Sequence, residues 1–351
     1  MSPLRHDLAG VVHVHSLYSD GTGTVPEIAA AAEANDLDFL LLTDHDTLGA
    51  KQNGEEGWYE SVLVLVGEEV SPRKGGHYLA FGLDRAIDHR RLDGYQIVEQ
   101  VGQAGGFGFL SHPFSKGSRR FRRPPMSWSA MDATGYVGLE LWSLVTDSAE
   151  KIDRISDALR FIITPGRFVD HPPSSNLEIW DELCRARRCV ALGGIDAHQI
   201  GIRIGNRVPL RLMAYKRSFR YLRTHLLTDR PLEKDLERDR TLVYEALRAG
   251  HAYIAMDSLA PAHGFRFTAN GPQTLEMGDE APAGDAAWHF HADLPRRARV
   301  RLVRDGSEIA GAEAAAVEHE ATGPGVYRIE AYLHSKGRER TWILSNPIYL
   351  R

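Results

Sequence analysis

An α/β fold, with a parallel barrel over the first two-thirds of the chain and a small antiparallel β domain after it, is predicted by three features of the sequence. Short β-rich runs alternate with helical patterns, the order in which crossover helices join parallel strands. Residues of ligand type recur where those runs end, and in a parallel barrel the strand ends meet on one face. From about Pro261 the helical patterns stop and Gly/Pro-punctuated alternating segments take over. The expected division is residues 1–260 for the barrel and 261–351 for the β domain.

GVVHVH reads as the first strand. VPEIAAAAEAND follows as a helix, because Pro26 suits a first turn, Glu27 complements the positive helix start and the alanines favour helix. DFLLLTDHD is a buried strand and SVLVLVGEEV a third, with HYLAFGL able to return against it as a hairpin arm. RRLDGYQIVEQVGQAGG is helical, and the strands FGFLSHPF and GYVGLELW come next. Two helical stretches are expected at about Ser148 to Ile163 and Leu177 to Arg188. CVALGGIDAHQ is the last barrel-type strand; RTLVYEALRAG as a helix and HAYIAM as a strand close the region. Beyond it WHFHADL, RARVRLVRDG, GVYRIEAYL and RTWILSNPIYL alternate as an antiparallel, sandwich-like unit would.

A chain of 351 residues with 43% hydrophobic content can bury a full core. Its net charge of −5 argues against a protein that coats nucleic acid, since generic phosphate binding needs a basic field. Cys184 and Cys189 are too few for a disulfide framework and lack thiolate-zinc spacing, so both read as inert thiols in a reducing compartment. No uncharged apolar run approaches the ~18 residues that a membrane span requires. A soluble, cytoplasmic protein acting on a small molecule is expected, without membrane or stable nucleic-acid partners.

HVHSLYSDGTG, residues 13–23, places two histidines and a carboxylate directly after an apolar run. An H-x-H pair alone says little, because roughly one arises by chance among 16 histidines in 351 positions. His289 and His291 form a second such pair, mid-strand in the β domain, and read there as structural. What singles out His13 and His15 is company at other strand ends: Asp44, His45 and Asp46; Glu68 and Glu69; His112; Glu140; Asp196 and His198. Side chains two apart share a strand face, so His13 with His15, and Asp196 with His198, can grip common centres. Crowded carboxylates would repel one another unless cations neutralised them. Imidazole and carboxylate donors without thiolates favour Mn, Fe or Zn over Ca or Mg.

Taken in order, H-V-H-S-x-x-S-D-G, T-D-H-D, G-E-E, S-H-P and D-A-H resemble the motifs of the PHP (polymerase and histidinol phosphatase) superfamily of metal-dependent hydrolases, over roughly residues 10 to 257. The ending GVYRIEAYLHSKGRERTWILSNPIYLR, with the β domain it closes, is similar to a carbaryl-hydrolase-like subgroup. The resemblance implies a distorted (β/α)7 barrel holding two or three divalent ions, Mn, Fe or Zn. Carried over by position, it implies His13, His15, Glu69 and Asp196 around a first metal and Asp20, His45 and His198 around a second. A third would share Glu69 and take His112, with Glu140 as its further partner. Glu69 is preferred to Glu68 on the family's G-x-E pattern, and Asp44 and Asp46 would orient ligands from behind.

Candidate substrate contacts are His77, His171 and Arg203, with Lys116 and Arg119 from the basic run SKGSRRFRRPP. A hydrogen-bonded histidine and a solvated loop are the plainer readings of the same residues. Trp128 and Trp142 read as packing residues. Two cations a few ångströms apart lower the pKa of a water between them, so no protein nucleophile is needed, and no G-x-S-x-G competes. The expected activity is hydrolysis of a small phosphorylated metabolite or nucleotide. Hydrolysis of a carbamate, ester or amide is the alternative, followed by a non-catalytic metal-binding module.

Overall fold

The computed structural model describes residues 6–118, 124–165, 168, 170–201, 205, 208 and 211–351. Seven strands close a barrel: β1 (His6–Val14), β2 (Phe39–His45), β3 (Val62–Val70), β4 (His77–Phe81), β5 (Phe107–Ser111), β6 (Gly138–Ser143) and β7 (Val190–Ala197). Their spatial order is chain order, and β7 pairs with β1 to complete the ring. Every pair is parallel except those of β4, which runs antiparallel to both β3 and β5. The arm expected of HYLAFGL is thus an integral barrel strand. Because β4 runs backwards, its first residue, His77, lies where its neighbours end.

Alternate residues of these strands separate two cores. Leu8 and Val12, Phe39 and Leu41, Leu63 and Leu65, Leu79 and Phe81, Phe107 and Phe109, and Val190 and Leu192 fill the interior. The residues between them, such as Leu40, Leu42, Val64 and Leu110, face the surrounding helices. Close packing of Phe and Leu makes the interior a plug rather than a pore.

The β/α alternation of the barrel is incomplete. Helix α1 (Val25–Glu33) links β1 to β2 behind a capping box of Thr24 and Glu27, and α2 (Gly94–Gln103) links β4 to β5. Among the described residues no helix joins β3 to β4 or β5 to β6. Between β6 and β7 come α3 (Leu144–Glu150), α4 (Ile155–Ile163) and α5 (Ser174–Ala186). The single helix expected over Ser148 to Ile163 is therefore two. Its break has a local cause: the Asp157 carboxylate accepts the Arg154 backbone N–H at 3.0 Å and starts a new helix there. Helix α6 (Leu236–Ala249), capped by Asp235 and ended by left-handed Gly250, seals the end of the barrel opposite the carboxyl ends with Val243, Tyr244 and Leu247.

Strand β8 (Leu222–Thr228), not foreseen from LRTHLLT, pairs antiparallel with the first half of β1, and β9 (Ala252–Met256) pairs with β8. The longer C-terminal strands are β10 (Arg266–Asn270), β11 (Trp288–Arg304), β12 (Ser307–Ala321), β13 (Gly325–Ser335) and β14 (Arg338–Ser345). WHFHADL and RARVRLVRDG merge into β11, whose register breaks between Asp293 and Ala298. Its first half pairs with β10, its second half with β13, and β12 follows both. The Ala/Glu content of β12 carries helix propensity, but the ladder to β11 overrides it. A ladder between β9 and β14 makes the C-terminal sheet continuous with the barrel edge, and Tyr253 and Leu227 share a core with Phe267, Phe290, Val300 and Trp342. Among the described residues no helix is long and apolar enough to cross a membrane.

Candidate metal centre

Each interior column of the barrel runs from apolar residues to a polar one at the carboxyl end. Phe39, Leu41 and Thr43 lead to His45; Leu63, Leu65 and Gly67 to Glu69; Val190, Leu192 and Gly194 to Asp196. The period of two that packs the plug also aims these side chains inward. It sends Glu68 the other way, where Oε1 accepts the Ile87 N–H at 2.8 Å and burial pushes the carboxyl up to about 7.

Glu69, fully buried, is the hub. Its Oε2 lies 3.2 Å from His13 Nε2, 3.4 Å from His15 Nε2 and 3.1 Å from His45 Nδ1. Its Oε1 lies 3.0 Å from His77 Nδ1 and 3.2 Å from His112 Nε2. Asp196 Oδ1 stands 3.6 Å from both His13 Nε2 and His15 Nε2. On the open side Asp20 Oδ1 is 3.1 Å from His198 Nε2 and 3.8 Å from His45 Nε2 and His15 Nδ1. The sets His13/His15/Asp196, His13/Glu69/His112, His15/Asp20/His45/His198 and His45/Glu69/His77 are each compact enough to hold an ion.

The donors also have the electronic character that a cation requires. His13 Nε2, both ring nitrogens of His15, His112 Nδ1 and Glu69 Oε2 are buried without hydrogen-bond partners. Such orphaned groups are costly unless something between them accepts their lone pairs. Burial alone would lower the His13 imidazole, yet Glu69, Glu140 and Asp196 outweigh it and hold the ring well above its usual range. Burial wins at His15, pushed down to about 4, while His198 outweighs burial at Asp20 and brings that carboxyl to about 2.

Backbone strain assists the aim. His13, His112 and Asp196 all have positive φ, at 67°, 28° and 54°. Left-handed torsions are rare for residues with a Cβ and gather at functional sites. The β1 ladders slip between Val12 and Val14, so His13 sits in a bulge and simple alternation does not carry His13 and His15 to the centre. Gly21 lets the turn close, because a Cβ there would lie 2.3 Å from the His15 carbonyl oxygen.

Behind the cluster, Asp44 accepts the Ser16 N–H at 2.7 Å and the Ser16 and Ser19 hydroxyls at 2.6 Å, pinning the turn. Asp46 accepts the Ser71 N–H at 2.7 Å, and Ser71 Oγ lies 2.7 Å from His45 Nδ1. Glu140 stands behind His13: Oε2 is 3.0 Å from His13 Nδ1 and accepts the His112 backbone N–H at 2.9 Å. Sequence reasoning missed Thr146, whose hydroxyl donates to Asp196 Oδ2 at 2.6 Å, and Ser111, which donates to Glu69 Oε1 at 2.7 Å. Ser111 was detectable, since it ends an inward column below Phe109; Thr146 carried no signal.

The remaining candidates are placed differently. His171 does not join the cluster: its Nδ1 is 2.9 Å from Thr341 Oγ1 and its ring lies beside Tyr332. Asp170, whose carbonyl accepts the Thr341 N–H and whose carboxylate meets Arg340, ties that loop to β14 and draws it away. Lys116 is exposed, its backbone N–H bound to Glu150. Arg119 and Arg203 lie outside the described residues, as do Arg120, Arg122 and Arg123. Trp128 and Trp142 are buried in the outer core, and Cys184 and Cys189 are buried free thiols. His289 and His291 have acidic neighbours, because pairing with β12 sets Glu320 and Glu318 beside them.

No family model matches the chain, and no curated protein does. Among solved structures it is similar to a two-domain protein from Bacteroides vulgatus containing a predicted PHP-like metal-dependent phosphoesterase, at 14% identity and a TM-score of 0.47, covering 97% of this chain and 95% of that one. It is also similar to PsfC from Pseudomonas syringae, at 13% identity and a TM-score of 0.44, covering 73% of this chain and 94% of that one. An amidohydrolase from Chromobacterium violaceum with bound sulfate and no metal matches at 16% identity and a TM-score of 0.32, over 57% of this chain and 90% of that one.

Proposed function

We propose that this chain is a metal-dependent hydrolase, with phosphoester hydrolysis as its reaction. One observation carries the reading: five histidines from four barrel strands and their loops converge on Glu69 of a fifth, with buried, unpartnered ring nitrogens among them. His13, His15, Glu69 and Asp196 would hold one ion, and Asp20, His45 and His198 a second. Glu69 and His112 would hold a third beside His13, with Glu140 Oε2 engaged by His13 and the His112 backbone, while His77 groups with His45 and Glu69. Divalent cations, when bound there, supply Lewis acidity and make water a nucleophile at neutral pH.

The protein's own part is positioning. Glu140 holds His13 by Nδ1 and leaves Nε2 for the centre, and Thr146 fixes the rotation of the Asp196 carboxylate. Asp20 and His45 are the more exposed members, 56% and 27% by side chain, so substrate enters past them. A second reading, hydrolysis of a carbamate, ester or amide, is favoured by an apolar cavity that opens beside His198.

The test is reconstitution of chelator-treated protein with manganese, zinc or iron, assayed on phosphomonoesters, phosphodiesters and aryl carbamates beside His45→Ala. Metal-dependent turnover that falls at least 100-fold in the variant is expected, which is about 2.7 kcal/mol of lost transition-state stabilisation. Turnover indifferent to chelation would refute the reading.

A further inference from the structure

A cavity of about 600 Å³ adjoins the cluster, lined at one end by Asp20, Asp196 and His198. Its size falls within the range of small-molecule pockets, roughly 300–1,000 Å³. Among the described residues most of the remaining wall is hydrocarbon, with Val145 of α3, Phe161 and Ile162 of α4, and Ile152, Leu212 and Met213 from the connecting segments, while Thr22, Gln199 and Ser218 are its polar members. Ile152, Phe161 and Met213 form a small apolar core separate from the barrel's. Helix α4 is thus built into the site, presenting Ala158, Phe161 and Ile162 to the cavity. Water in such a space lacks the polar partners it needs, so an apolar group displaces it favourably. A compact phosphorylated metabolite would leave that wall unused.

We propose that the substrate is an amphiphilic ester whose scissile group lies against Asp20, Asp196 and His198 while an uncharged alkyl or aryl group fills the cavity under α4. The proposal rests on the hydrolase reading and adds the substrate's apolar part to it. The step is hydrolysis: the oxygen of water bonds to the carbonyl carbon or phosphorus, the bond to the ester oxygen breaks, and one proton of water passes to the leaving alcohol. The other proton is released with the acid product. Each methylene moved from water into such a wall is worth about fourfold in binding.

Manganese-reconstituted protein would be assayed on two series: p-nitrophenyl acyl esters from acetate to octanoate, and p-nitrophenyl alkyl phosphodiesters from methyl to hexyl. In at least one, kcat/KM is expected to rise threefold to fourfold per methylene until the cavity is filled; which series responds identifies the electrophile. Titration calorimetry with methyl- to hexylphosphonate gives a readout that needs no turnover, with affinity rising along the same series. Ala158→Phe, and separately Ala149→Phe, should cut the long-to-short ratio tenfold or more in both measurements, because each ring occupies the cavity. Turnover or binding that varies less than twofold with chain length overturns the inference and leaves the hydrolase reading intact. A chain-length dependence untouched by both variants overturns it as well. Chain-length-dependent binding without turnover in either series supports the cavity assignment and overturns the hydrolase reading; absence of both overturns both.

Discussion

His13 is gripped from two sides, with Nδ1 3.0 Å from Glu140 and Nε2 3.2 Å from Glu69. Glu140 therefore sets the ring's orientation and tautomer, and Glu140→Ala should weaken manganese or zinc binding 10- to 100-fold, read by calorimetry. Unchanged affinity would make Glu140 a spectator. The adjacent pair Glu68 and Glu69 offers a sharper contrast. Glu69→Gln should empty the two sites that share Glu69 and leave at most the ion held by Asp20, His45 and His198, whereas Glu68→Gln, on the helix-facing side where it accepts the Ile87 N–H, should leave metal content at the parent's level by elemental analysis. Equal loss in both variants would contradict the inward and outward assignment. In the sequence the preference for Glu69 rests on the resemblance's G-x-E pattern alone, because Val62, Val64 and Val66 give Glu68 an equally apolar parity; the barrel turns the Leu63 and Leu65 parity inward.

Between elements, the fit of β6 against β7 decides where Glu140 sits. A Cβ on Gly194 would lie 1.9 Å from Glu140 Oε1, and β7 is inward-facing at that position. Gly194→Ala should cost about 1–3 kcal/mol of stability in urea unfolding and also lower metal affinity, because relief of the clash moves Glu140 off His13. A stability loss with metal affinity intact would show that Glu140 can shift without consequence. The bulge in β1 works at the same scale. Left-handed torsion at His13 and Asp196 costs on the order of 1 kcal/mol each, tolerated because β2 and β7 hold β1 from both sides. A run such as VVHVH reads as plain alternation, and nothing local marks the slipped register.

For the whole molecule, the seam between the barrel edge and the C-terminal sheet carries a buried imidazole. His225 lies between Asp7, at 2.9 Å, and Asp257, at 3.4 Å; burial would lower it, but the two carboxylates outweigh burial and raise it to about 9. The folded chain then keeps a proton that the unfolded chain releases above about 6.5. This stabilisation is complete below pH 6.5 and is lost as pH rises from there through 9, on the order of 3 kcal/mol in all. Urea midpoints from pH 6 to 9.5 should show the decline, and His225→Gln should flatten it; an equal decline in the variant would assign it elsewhere. Metal binding acts on the same global equilibrium: ions present at 100 times their dissociation constant should add about 2.7 kcal/mol. A melting temperature unmoved by saturating metal would argue against a preformed centre.

The amino-acid order by itself determined which residue types stand at the strand ends and which of them share a face along regular strand, because alternation is a local property of extended chain; it did not determine which face turns inward or the bulge that aims His13. Tertiary structure alone decided the rest. It paired β4 with β5 as well as with β3, the return that HYLAFGL already suggested, placed Glu140 behind His13, and tied His171 to Thr341 instead of to the cluster. Those outcomes depend on ladder register and loop tethering between segments far apart in the chain, and no short window of sequence contains both partners.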